Sequence, residues 1–123
     1  MHRQTRNESR GSGRVEFSFS TTLLREICEK RRAAVDALGT SAALELEQRL
    51  ADIEAVDTVA DLSALFPDDV VALSPVERAL RLNAGYKLVF RSGHVKTPTT
   101  STGVTDWEKV TRIRIVALEA DHG

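Results

Sequence analysis

Between Leu80 and Phe90 the chain reads Leu-Arg-Leu-Asn-Ala-Gly-Tyr-Lys-Leu-Val-Phe, two alternating apolar and polar runs around Asn83-Ala84-Gly85. A period of two puts one side of an extended strand against a core, and a short Gly-containing link between two such runs returns the chain as a hairpin. Leu80 and Leu82 fall on one side of the first run and Arg81 on the other. Tyr86, Leu88 and Phe90 share a face of the second run, opposite Lys87, Val89 and Arg91. The stretch from Thr111 to Leu118 repeats the design with Arg112 and Arg114. Together the two stretches predict one antiparallel sheet with an apolar back and a cationic front. That front is the candidate functional surface.

An apolar sheet face needs a second layer over it, and the first half of the chain supplies one. Arg14 to Phe19 alternates, with Val15, Phe17 and Phe19 on one side, and reads as the first strand. Ser20 or a following threonine caps a helix reaching Leu38, where Gly39 suits the left-handed residue just past a helix end. Its stripe is Leu24, Ile27, Cys28, Ala34, Val35 and Leu38. A second helix, 41–56, turns Ala43, Leu46, Leu50 and Ile53 inward, so that two antiparallel helices meet near Gly39-Thr40. A short third helical turn begins at Thr58 and is stopped by Pro67. Val70 to Leu73 is a short strand or an extended approach to the hairpin.

The polar connection from Arg91 to about Lys109 is long for a hairpin, hence mobile or functional. Trp107, the sole indole, pins its end by burial or stacks on a nucleobase. The expected class is α+β: an N-terminal strand, a two-helix hairpin, then an antiparallel sheet of three to four strands packed on the helices. Residues 14–123 form this one domain, behind a polar, Gly/Ser-punctuated arm, residues 1–13, that cannot bury enough surface to order itself.

Composition narrows the function classes. Cys28 is alone, so no internal disulfide forms, and a cytoplasmic setting is expected. No apolar run approaches the roughly 20 residues that cross a membrane. The histidines are scattered and have no metal-ligand spacing, so neither a metal nor a cofactor is expected. A formal net charge of −1 gives no global sign of nucleic-acid binding. Its distribution is uneven: residues 40–77 carry nine acids against Arg49, and residues 78–114 carry eight bases against Asp106 and Glu108. Either two faces meet different partners, or the halves neutralise one another across a solvated surface.

The order of elements, the stretch Leu-Arg-Leu-Asn-x-Gly-Tyr-Lys-Leu-Val-Phe and the ending Ile-Arg-Ile-x-x-Leu-x-x-Asp-His together resemble the RelE/ParE superfamily of bacterial toxins. The HigB-like, or plasmid-maintenance killer, group is nearest, since this chain shares its long polar insertion before Asp106-Trp107. The resemblance covers about residues 15–122. It implies the toxin of a type II toxin–antitoxin system: a cytoplasmic endoribonuclease that cuts mRNA on the ribosome and inhibits translation. The implied partner is a cognate antitoxin, often of the helix-turn-helix type. His122 matches the family's terminal histidine, Arg81 and Asn83 match hairpin positions, and Lys87 stands where arginine is commoner. Asp121 occupies the usual tyrosine position and Ala120 the usual aspartate, and the lysine often found before the hairpin is missing at Ser74-Pro75.

Cutting RNA without a metal requires deprotonating a 2′-hydroxyl, stabilising a pentacoordinate phosphoryl group and protonating the 5′-oxygen. A histidine such as His122 serves as acid or base near neutral pH. Arg81 and Lys87, with Arg112, supply positive charge on preorganised strands. The expected catalytic set is therefore His122, Arg81 and Lys87, with Arg78, Asn83, Arg91, Arg112 and Arg114 as RNA contacts. His94 is expected to be a solvated loop residue and Cys28 inert packing. The alternative is a non-catalytic relative that acts by binding protein, either a gyrase-type target or its antitoxin alone.

Overall fold

A computed structural model describes residues 14–121; the expected arm, residues 1–13, and His122 lie outside them. The fold is α+β, with four helices on a five-stranded sheet. The elements follow in the order β1 (Glu16–Phe19), α1 (Thr22–Glu29), α2 (Arg31–Leu38), α3 (Thr40–Glu54), α4 (Val59–Leu65), β2 (Val70–Ala72), β3 (Glu77–Arg81), β4 (Tyr86–Ser92) and β5 (Arg112–Ala120). A 3₁₀ turn at Trp107–Lys109 precedes β5. Across the sheet the strand order is β1-β5-β4-β3-β2.

The last strand is inserted beside the first. β5 runs parallel to β1, with Phe17 beside Ile113 and Phe19 beside Ile115, and antiparallel to β4. The sheet is thus mixed, not wholly antiparallel, and the four strands that follow the helices reach the upper end of the expected three to four. Parallel pairing needs a long crossover, which the chain between β1 and β5 supplies by passing through the helices and the β2–β4 strands before β5 enters between β1 and β4.

Strict alternation along Ile113, Ile115 and Ala117 would bury an alanine where a leucine is available. The ladder avoids this with a bulge. Phe90 pairs with Ile115 and Val89 with Ala117, leaving Val116 as the extra residue. Leu118 then opposes Leu88 and packs against the core.

The single helix expected over 20–38 is broken at Lys30, which adopts an extended conformation (φ −124°, ψ 115°) between α1 and α2. Neither Pro nor Gly causes the break. Continued helix would carry Arg31 along the stripe of Leu24, Ile27 and Ala34. The extended residue frees Arg31 to reach Glu47 on α3 at 2.8 Å. Gly39, at φ +90°, makes the tight α2–α3 reversal in a backbone region that side chains disfavour.

The core lies between the helices and one sheet face, gathering Ile27, Leu46, Ile53, Leu62, Leu80, Leu88, Phe90, Ile113 and Ile115. Trp107 is buried edge-on to Phe90, with ring centroids 6.1 Å apart. This pins the end of the connection 93–109. Its beginning is held at Gly93, whose N–H donates to the Arg112 carbonyl at 2.8 Å. A Cβ there would stand 2.9 Å from the Ile113 carbonyl carbon, so only glycine fits without moving β5.

The helical layer also grips the hairpin turn. The Glu45 carboxylate on α3 accepts the backbone N–H of Asn83 at 2.7 Å and of Ala84 at 2.9 Å. Charge-assisted bonds of this type are among the stronger ones. Glu45→Ala should lower unfolding free energy by about 1–2 kcal/mol, read as a lower urea midpoint with an unchanged slope. A midpoint equal to wild type would show that the turn holds itself.

Candidate nucleic-acid interface

Residues on the sheet face turned away from the helices fall into cross-strand rows, because each register pair places two side chains on the same side. The first row is Glu16 and Arg112 on β1 and β5. The second is Ser18, Arg114, Arg91 and Glu77 across β1, β5, β4 and β3. The third is Ala117, Val89, Ala79 and Val71. The fourth is Glu119, Lys87 and Arg81. Val89 and Ala79 are buried but stand outside the main core cluster, as residues on the opposite face should. The open face therefore carries charged rows on either side of an apolar strip.

Five of the sequence-predicted residues meet there: Arg81, Lys87, Arg91, Arg112 and Arg114. They are not alone. The Arg81 Nε donates to the Asp121 Oδ2 at 2.9 Å, and Arg112 lies 3.3 Å from Glu16. Lys87 faces Glu119, and Arg91 faces Glu77, each at 4.0 Å. Arg114 forms no ion pair among the described residues. The expected cationic front is thus a mixed-charge surface. Counting bases between 78 and 114 missed this, because Glu16, Glu77, Glu119 and Asp121 all lie outside that window.

Two predicted RNA contacts sit elsewhere. Arg78 opposes Phe90 in the ladder and so shares its core-facing side, not the front. Its guanidinium lies 4.9 Å over the Trp107 ring and donates to the Ser63 hydroxyl at 3.0 Å. Burial lowers its pKa. Asn83 is in the turn, with its N–H committed to Glu45.

The end of β5 closes on the hairpin. The Asp121 N–H donates to the Gly85 carbonyl at 2.8 Å while its carboxylate holds Arg81. The residue that follows in the chain is His122. Arg81 and Lys87 are direct cross-strand partners at the same end of the sheet.

His94 is a residue whose place the sequence did not disclose. It is half-buried, and its Nε2 accepts the Thr111 N–H at 3.0 Å, tying the two ends of the long connection together. That bond requires Nε2 to be unprotonated, so the neutral ring carries its proton on Nδ1. Burial lowers the His94 pKa from 6.5, and Arg112 lowers it further. Cys28, packed against the core from α1, has its thiol pushed up to about 11, chiefly by burial and secondarily by Glu29.

Comparison with protein-family models, with curated proteins and with solved structures found no match to this chain. No helix among the described residues is long and apolar enough to cross a membrane. Among those same residues, no group of His, Cys, Asp and Glu could hold a metal ion.

A depressed histidine pKa means that the unfolded chain takes up the proton first as pH falls. The contribution of the His94–Thr111 bond is therefore complete above the unfolded value of 6.5 and is lost as pH falls through the lower folded value. Hydrogen exchange at the Thr111 amide, corrected for intrinsic pH dependence, should accelerate on acidification below pH 6.5 in wild type. It should be fast and pH-insensitive in His94→Ala; a protected Thr111 amide in that variant would refute the tie. Alkylation of Cys28 should be slow in native protein at pH 8 and rapid once the chain is unfolded, because the thiolate is the nucleophile.

Proposed function

We propose that this chain is a RelE/ParE-like toxin domain, the toxin of a type II toxin–antitoxin pair, which cuts mRNA on the ribosome without a metal. The observation that carries the reading is the convergence at the turn. Arg81 and Lys87 oppose each other in register, and Asp121, which precedes His122 in the sequence, bonds Arg81. Like charges placed directly across a ladder disfavour the sheet, so their pairing invites an anion.

A phosphodiester over these two side chains would meet a fixed guanidinium and an ammonium. Arg81, through its planar fork, and Lys87, as a point charge, stabilise the extra negative charge of the pentacoordinate phosphoryl group. His122 takes the 2′-hydroxyl proton or returns one to the 5′-oxygen. Glu119 does not forbid this, since its 4.0 Å contact with Lys87 is a loose surface pair of a kind that contributes only about 0–1 kcal/mol, whereas the half-buried Asp121 stays on Arg81 and orients its guanidinium. An RNA phosphate can replace Glu119 at Lys87 and approach the guanidinium nitrogens of Arg81 beyond its Nε. The partner that restrains the toxin is a cognate antitoxin, of the helix-turn-helix type.

The same carboxylates favour a second reading, in which the mixed-charge face binds protein and the domain is non-catalytic, acting on a gyrase-type target or meeting only its antitoxin. Expression in a host cell separates the two. Wild type should arrest growth and fragment mRNA, and Arg81→Ala and His122→Ala should each lose both effects by at least about tenfold, the scale of a lost acid–base or charge-stabilising group. Growth arrest with intact mRNA would leave only the protein-binding role.

A further inference from the structure

The surplus positive charge of the open face is not at the proposed catalytic row. There Arg81 and Lys87 are matched by Asp121 and Glu119. It is at the far end of β4 and β5, where among the described residues Arg91, Arg112 and Arg114 are met only by Glu16 and Glu77. Arg91 and Arg114 are direct partners in the ladder, a placement that costs stability and that folding alone gives no reason to keep. Arg114 is exposed, and among the described residues it has no carboxylate partner. The effect of Arg112 on His94 reports the same positive field from an independent group.

Along β4, Lys87 and Arg91 are four residues apart on the same face, a separation of about 13 Å at strand rise. The apolar strip of Ala117, Val89 and Ala79 lies between. One phosphate cannot touch both ends. We infer that the Arg91–Arg112–Arg114 corner is a second phosphate subsite, which holds a different phosphodiester of the RNA strand that the Arg81–Lys87 row engages. This inference rests on the RNA reading above. It adds a direction to it: the strand lies along β4 and β5, spanning the apolar strip, and does not cross the sheet.

The test uses a single-stranded oligoribonucleotide that carries 2′-O-methyl groups and so cannot be cleaved, with affinity measured by fluorescence anisotropy over a range of salt concentrations. Each phosphate neutralised contributes about −0.7 to the slope of log affinity against log salt for single strands. Arg114→Gln should make the slope shallower by about that much, as should Arg81→Gln, and Arg114→Lys should restore it. Sites this far apart act independently, so the double variant should lose the sum of the two slope changes. Circular dichroism and thermal melting check that each variant is folded; Arg114 is exposed and outside the core.

If Arg81→Gln weakens binding and Arg114→Gln does not, the subsite is wrong and the RNA reading survives. If the two changes fail to add, they share one phosphate, and the second site is again wrong. If wild type does not bind the oligonucleotide at all, both readings fall together.

Discussion

The structure depends on the pairing of β5 between β1 and β4. That pairing joins the beginning and end of the described chain, with Glu16 beside Arg112 and Tyr86 opposite Ala120. Until β5 is in place, β1 has no strand partner and the inner face has neither Ile113 nor Ile115. Contacts of such sequence separation require long loops to be closed before they are rewarded. The helices cannot substitute, since their apolar stripes need this sheet face to cover. The bulge at Val116 belongs to the same constraint. It keeps β5 in register with both neighbours while turning Leu118 inward.

Once the strand is seated, the chemistry of the open face follows from register. Cross-strand neighbours determine which cation meets which carboxylate. Lys87 meets Glu119, Arg91 meets Glu77, Arg112 meets Glu16, and Arg91 and Arg114 are left facing each other. The outcome is a surface whose pairs are weak because they are exposed, with a localised positive excess at one end.

The candidate site was partly legible for a simple reason. Alternation with period two assigns faces before any partner is known, which placed Arg81, Lys87, Arg91, Arg112 and Arg114 on one side. Arg78 illustrates the boundary of that method. Its side follows from the same alternation, two residues before Leu80, but its environment depends on Trp107 arriving from a long connection and on Ser63 arriving from α4. His94 is similar. Nothing local shows that a loop histidine accepts the Thr111 amide, because the bond closes across a segment with no periodicity.

Local pattern by itself determined the hairpin at Asn83-Ala84-Gly85, the inward stripes of the helices, the stop at Pro67 and the α+β class. These rest on interactions within a few residues, or on where a single side chain can be wet or dry. The tertiary structure alone decided the break at Lys30, the parallel seating of β5 beside β1, the bulge at Val116 and the neutralising of most cations by distant acids. Each of those depends on what lies opposite in space. Two residues separated by most of the chain become neighbours only when the sheet is assembled, and electrostatics acts between neighbours in space, whatever their order in sequence.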